Sequence, residues 1–520
     1  MYSVGTFDLR SRVAVGFFVY IVDLLAFGAA PGTERCLTCH PKEVKAYAQS
    51  AMALALRQPI SQPSGTFEHV YSQTTFRTYE DTAGLHQTLA RHGEEAEQRI
   101  AYVIGSGSQA LGYLVRIGDH LFQSPLCYYT QSRSWGMAPG YELDPRPDFS
   151  RPVPVACVLC HSGRANALAG AFNRYADRIF SDEGITCERC HGPSEQHLRR
   201  PVAGSIVNPR RLMGAPRDSI CEQCHLAGEV RIANPGKKLA DYVPGDVLED
   251  TYTIYVRARP ANGAIKVVSH AEQLALSTCA RRSSGKLWCG GCHKPHETVN
   301  RKAEYFRERC LSCHGATLEK GHAAEGRDCV ACHMARKPTS DGGHTIFTDH
   351  RIARHPEDAG QAGESGDLRA WREPAPEFRE RNLGLALADF ATQKKSASGM
   401  VEAFRLLHRV ENDFSNDPAV LAAIGSLLFI AEDAAEAEKY YRKAVARKPD
   451  FAPYQVNLGA ALLKEGKKSE AREWLEKSLR LDPVSEAGTQ LLSRLFEELG
   501  EREKADALRT RYRQAMGYKR

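Results

Sequence analysis

Residues 187–197 read CERCHGPSEQH, and the five residues at their head, Cys-x-x-Cys-His, decide how the chain is read. The same pattern recurs as CLTCH (36–40), CVLCH (157–161), CEQCH (221–225), CGGCH (289–293), CLSCH (310–314) and CVACH (329–333), seven copies in all. Chance supplies on the order of 0.02 copies in a chain of this composition, so the repetition carries meaning. Two cysteines three apart on a helical turn present both sulfurs to one side, and a histidine directly after them follows on the same turn. That layout lets the sulfurs form thioethers to the two vinyl groups of one porphyrin while the imidazole reaches its iron. It is the attachment signature of a c-type haem.

The expected attachment residues are therefore Cys36 and Cys39, Cys157 and Cys160, Cys187 and Cys190, Cys221 and Cys224, Cys289 and Cys292, Cys310 and Cys313, and Cys329 and Cys332. The proximal ligands are His40, His161, His191, His225, His293, His314 and His333, which implies seven haems and their irons. Zinc sites and disulfide or thioredoxin-like pairs also use Cys-x-x-Cys. Zinc does not require a histidine after every second cysteine, and a redox motif would occur once. Fourteen of 16 cysteines are used in this way. Cys127 and Cys279 remain as disulfide partners, buried thiols or a reactive pair.

Each iron needs a sixth ligand or an open position: a second histidine makes a low-spin electron carrier, and a vacancy admits substrate. The chain has 19 histidines, so seven proximal ligands leave enough for every iron. His197, six residues after His191, and His296, three after His293, sit in Gly/Pro contexts suited to serving a neighbouring haem. His344 and His350 follow the last motif, and His270 and His322 complete the candidate distal set. His69, His86, His92 and His120 lie in a strand-like stretch and rank below these. Met52 is a thioether candidate, although a methionine in a helix core is the commoner role.

At 520 residues more than one domain is expected. Arg10 and Arg12, the apolar run 13–27 and Gly28-Ala29-Ala30-Pro31 have the layout of a secretory signal cleaved after Ala30, so residues 1–30 are expected to be removed. Asp23 inside the run argues against a stable span, and an uncleaved membrane anchor is the alternative. Export, periplasmic or to the cell surface, fits haem attachment outside the cytoplasm. Residues 33–355 form the expected heptahaem domain, with a small β insertion at about 67–130 where FEHVYSQTTFRTY, RIAYVIGSGS and GYLVRIGDHLFQSPLCYY alternate and Gly118-Asp119 marks a turn. Pro41 to Arg57 reads as helix, and the 239–268 region as a strand pair. Elsewhere the Gly- and Pro-rich spacers between motifs predict little regular structure, with porphyrin faces supplying buried apolar surface. A formal charge of +6 with interspersed signs, and no basic stripe with aromatics, excludes nucleic acid as a partner.

Residues 356–380 read as a linker, and 384–520 follow a 34-residue period. Leu458-Gly459, Gly466, Ala471, Leu475 and Pro483 mark one unit, and Ile424-Gly425, Ala437, Tyr441, Ala444 and Pro449 the one before. Leu492, Phe496, Gly500 and Ala505, and Phe390, Ala403 and Leu407, sketch weaker outer units. This resembles the tetratricopeptide repeat family, an α-solenoid of helix pairs. Such an array either offers a groove to a protein partner or packs on its own haem domain.

CLTCHPKEVKAYAQSAM, GITCERCHGPSEQH, LWCGGCHKPH and DCVACHM together resemble the multihaem cytochrome c superfamily of tetrahaem carriers and hydroxylamine oxidoreductases. The order YVIGSGS, PLCYY, WGMAPGYE, GITCERCHGP, KLWCGGCHKPH, CHMARKPTSDGGHTIFTDHRI is similar to bacterial multihaem cytochromes carrying C-terminal tetratricopeptide repeats. The resemblance implies stacked and perpendicular haem pairs within electron-transfer distance. This chain departs from relatives at Gln109 and at Met52, where they carry histidine, and it lacks the Cys-x-x-Cys-Lys of nitrite reduction. The expected fold is mainly α, a multihaem domain followed by a solenoid. The expected function is an exported electron carrier with redox partner proteins. Two alternatives are an oxidoreductase acting on a small nitrogen or sulfur compound at one five-coordinate haem, and a repeat scaffold with structural haems.

Overall fold

The computed structural model describes residues 32–257, 265–299, 301–315, 328–353 and 367–519. The expectation of little regular structure before the repeats is corrected, because nine strands join in one antiparallel sheet. They are β1 (Leu56–Arg57), β2 (Gly65–His69), β3 (Thr74–Asp81), β4 (Gly84–Arg91), β5 (Glu94–Ile104), β6 (Ala110–Ile117), β7 (His120–Tyr129), β8 (Ser134–Met137) and β9 (Arg151–Pro152). The order runs β2 through β8, with β1 on β5 and β9 on β7. The cause lies in period-two patterning: Phe76, Leu85, Leu89, Ala96, Ile100 and Val115 project to one side and bury together. Gly118-Asp119 is the two-residue turn joining β6 to β7. The first and last strands of this path come back together. Gly65 abuts the Trp135 indole so closely that a Cβ there would lie 2.6 Å from the ring.

The helix expected over 41–57 stops at Tyr47, and Leu56–Arg57 turns into β1. Tyr252–Arg257 does form a strand. Its partners, Val230–Ala233 and Leu368–Ala370, come from outside the 239–268 region, the second from the stretch read as linker.

Eight helices close the chain in four antiparallel pairs: Arg379–Lys394 with Ala397–Val410, Pro418–Ile430 with Ala434–Arg447, Ala452–Lys464 with Lys468–Leu481, and Glu486–Glu498 with Arg502–Ala515. The small positions named from the period are where the helices meet: Ala437, Ala471 and Ala505 are 0 % exposed, and a Cβ on Gly459 would strike Leu475 at 2.7 Å.

The array packs on the body of the same chain at both ends. At its start, buried Asn382 donates to Asn234 Oδ1 (2.9 Å) and Thr253 Oγ1 (3.0 Å), and Ala386 joins Val230 and Tyr255. At its finish Met516, 0 % exposed, enters the core of the large sheet. Gly517 carries a φ of +86° and its would-be Cβ lies 2.1 Å from the Glu97 carbonyl, so only glycine fits this junction.

Candidate functional site

The fourth and sixth motifs close the longer helices Ala215–His225 and Lys302–His314, and the other five begin on single helical turns. In the first, third and fifth, the histidine N–H closes on the carbonyl of the first cysteine: His40 to Cys36 at 2.8 Å, His191 to Cys187 at 2.9 Å, His293 to Cys289 at 2.8 Å. One turn therefore separates sulfur and imidazole, which places them on one face. The last motif is capped by Asp328, whose carboxylate accepts from Val330 N (2.9 Å) and Ala331 N (3.3 Å).

Although the motifs are dispersed along the chain, they converge. A single cavity of about 2860 Å³ is lined by all seven motif histidines and by every motif cysteine except Cys157 and Cys313. Pockets for one drug-sized ligand measure roughly 300–1,000 Å³, so this space suits several large groups. Thiols of different motifs are in hydrogen-bond contact: Cys36 with Cys187, Cys160 with Cys224, Cys221 with Cys289, and Cys310 with Cys329. None of the sixteen cysteines is paired in a disulfide. Among the described residues no three His, Cys, Asp or Glu side chains converge as a zinc centre requires.

Two-histidine pairs are what the cavity holds instead. His40 faces His197 with ring centres 6.4 Å apart, His191 faces His296 at 5.8 Å, and His293 faces His350 at 6.1 Å, with interplanar angles of 25°, 22° and 28°. His225 meets His270 at 5.3 Å and 83°. First-row metals bind imidazole nitrogen at about 2 Å, so two rings trans across one ion stand with centres about 6 Å apart. Porphyrin supplies four nitrogens itself and asks the chain for only two ligands. The residues present therefore fit a haem.

The ring nitrogens agree. Nδ1 of His191 lies 2.8 Å from the Val207 carbonyl, that of His333 2.9 Å from Ala353, that of His350 2.9 Å from Thr348, and that of His161 3.3 Å from Ala55. A carbonyl only accepts, so each imidazole donates from Nδ1 and keeps its Nε2 lone pair for a metal. His197 Nδ1 is likewise 2.8 Å from Ser205 Oγ, whose own proton goes to backbone carbonyls. Burial lowers the basicity of His161, His225, His293, His296 and His350, and carries His270 down to about 3, helped by His350. Neutral imidazole is the ligating form.

The other candidates fall elsewhere. His322 lies outside the described residues. His344 packs edge-on to Tyr129 at 5.0 Å and is not among the cavity-lining residues. Met52 and Gln109 do line the cavity. In the large sheet, His69 engages Ser72 and the Glu142 carbonyl, His86 sits 3.2 Å from Asp81 and Glu97, and His120 bridges Asp119 and Asp482. Each ring nitrogen of these three thus lies within 3.2 Å of a protein oxygen. Burial pushes the Cys127 thiol up to about 12, as expected of an inert core cysteine. Sequence reasoning missed Tyr47, edge-on to His296 at 6.4 Å, and the carbonyls behind the imidazoles, which leave no mark in a sequence.

Among curated proteins, the chain is 26% identical over 177 residues to the multiheme cytochrome MtrA of Shewanella baltica (strain OS185). That alignment covers 31% of this chain and 52% of the relative, so the chain spans about half the length of the curated protein it matches. Solved structures similar to it include MamA, at 19% identity and a TM-score of 0.23 over 26% of this chain and 71% of that one. Another is the first tetratricopeptide domain of Spaghetti (RPAP3) bound to an HSP90 peptide, at 22% identity and 0.21 over 23% and 94%. Residues 428–507 match the model of the tetratricopeptide repeat family. The helix pairs at the C-terminal end are tetratricopeptide repeats.

Proposed function

We propose that this chain is an exported multihaem c-type cytochrome, holding seven haems and carrying electrons between redox partner proteins. The observation that carries the reading is the set of four motif histidines that each face a second histidine inside one cavity. The partial similarity to a multiheme cytochrome supports it. When bound, haem supplies one-electron oxidation and reduction at iron. The paired cysteines would tether the group, and the motif histidines with the histidines that face them would hold it. Ile104, Gly112 and Tyr129 of the large sheet line one side of the cavity, and the array's outer face serves docking of a partner or assembly.

Mass spectrometry of the mature polypeptide tests this directly: seven added haems are expected, and a polypeptide with none sinks the reading. The second reading, an oxidoreductase with one five-coordinate haem acting on a small nitrogen or sulfur compound, has one observation in its favour. Among the described residues no second histidine ring is paired with His161. A high-spin signal in the oxidised protein that shifts with added ligand would select it, and a wholly low-spin spectrum would remove it. The N-terminal segment, expected as a cleaved signal or an anchor, lies outside the described residues. No described helix is long and apolar enough to cross a membrane.

A further inference from the structure

Two of the histidine pairs touch one another. His270 meets His225 at 5.3 Å on one side and His350 at 4.8 Å and 80° on the other, while His350 stacks on His293 at 6.1 Å. Four imidazoles thus run in a continuous row, with motif histidines at the ends and non-motif histidines in the middle. The Nδ1 of His270 is buried and has no hydrogen-bond partner in the protein.

A single amide ties the two middle rings together. Gln273 lies one turn after His270 on the helix His270–Leu276 and is 5 % exposed. Its Oε1 accepts the backbone N–H of His350 at 2.8 Å, and its Nε2 donates to Ser269 Oγ at 2.6 Å, on the residue just before His270. Ser269 Oγ in turn donates to the Lys266 carbonyl at 2.8 Å. The helix that carries His270 therefore also holds the backbone of His350.

We propose that Gln273 is a positioning residue that holds His270 and His350 in edge contact, making the iron sites of the fourth and fifth motifs one coupled pair. The proposal rests on the haem reading above. Leucine at this position has the bulk of glutamine and no acceptor, whereas glutamate keeps an oxygen acceptor for the His350 N–H.

The test uses full-length haem-loaded protein with Gln273→Leu and Gln273→Glu, read by low-temperature electron paramagnetic resonance of the oxidised form. In Gln273→Leu two low-spin signals should shift together while the others stay in place, and Gln273→Glu should restore the wild-type spectrum. An unchanged spectrum, a shift of one signal, or a shift of all overturns the pairing. Should Gln273→Leu fail to accumulate, His270→Met serves: it changes the ligand at the His225 site and must also move the His293 signal, and a change confined to one centre overturns the proposal. A wild-type protein with no haem by mass would instead defeat the underlying haem reading.

Discussion

Replacing Arg372 with methionine should destabilise the folded protein by about 4 kcal/mol at pH 7 and by much less at pH 5. Its guanidinium lies between two buried carboxylates, with Nε 2.9 Å from Glu249 and Nη2 2.5 Å from Glu222, and it also donates to Ser219 at 2.9 Å. Both acids are 8 % exposed at the side chain. Methionine keeps most of the aliphatic volume and removes the charge, so the loss is electrostatic. Removing one partner of a buried pair leaves the other uncompensated, at a cost of roughly 3–5 kcal/mol. Burial already raises the Glu222 carboxyl above its ordinary value, with Arg372 pulling the other way. Without the cation it rises further. A carboxyl that holds its proton more tightly folded than unfolded loses stability as pH climbs through the interval between the two values, by up to about 1.4 kcal/mol per pH unit. Below that interval it is neutral in both states and the penalty vanishes. Urea unfolding of the haem-loaded protein at pH 5, 6 and 7, followed by far-ultraviolet circular dichroism, gives the gap to wild type, which should widen with pH. A gap equal at pH 5 and 7, or smaller than about 1 kcal/mol at pH 7, would refute the charge argument. Glu222 stands inside the CEQCH motif, so the variant should also show incomplete haem attachment by mass.

Three further outcomes are expected. Burial alone would raise Glu438, but Lys467, Glu465 and Arg442 hold its carboxyl down at about 2, so its contribution is present above about pH 4.5 and is lost as pH falls from there toward 2. Glu438→Gln should cost about 1–3 kcal/mol at neutral pH and flatten the acid limb of the helical signal, and an unaltered acid limb would count against the network. His296→Met should raise the potential of one centre by tenths of a volt, within the roughly 0.8 V that axial ligands span, and leave the rest unmoved; a redox titration with no shifted component would break the His191–His296 pairing. Protein made without haem maturation should keep slow amide exchange in the sheet and the repeats, while Lys302–His314 exchanges freely; protection of that helix in the haem-free chain would contradict the account given below.

What could be read from the sequence followed the range of the interactions involved. The motifs, the 34-residue period and the Gly118-Asp119 turn are local, and all are found where the residues put them. The Gly/Pro contexts of His197 and His296 point to a neighbouring motif, and the two rings face His40 and His191. Which neighbour each would face depended on tertiary contact. The large sheet is wider than its sequence pattern because short strands such as Ser134–Met137 and Arg151–Pro152 exist through pairing with β7, and strand preference is weak without its partner. Leu368–Ala370 was hidden in a polar, Pro-rich stretch for the same reason: three residues become a strand because Tyr255 to Arg257 offers an edge.

Five of the seven helices that bear the motifs bury no side chain within the protein. Glu34–Leu37, Glu188–His191, Cys289–Cys292, Lys302–His314 and Cys329–His333 contain no buried side chain at all. A helix of thirteen residues or fewer with nothing buried is marginal in water, because helices in proteins are held chiefly by packing of one face. The apolar clusters of the chain lie elsewhere, in the sheet around Phe76 and Tyr113 and in the repeats around Leu458 and Leu475. Those two cores are built from protein contacts; Met516 joins them, and Asn382 ties the start of the repeats to Asn234 and Thr253. Between them the motif turns border a space with cysteines and histidines on its walls, and groups held by those residues would complete their packing. On the haem proposal, porphyrin faces would meet that need and supply the apolar surface those turns lack.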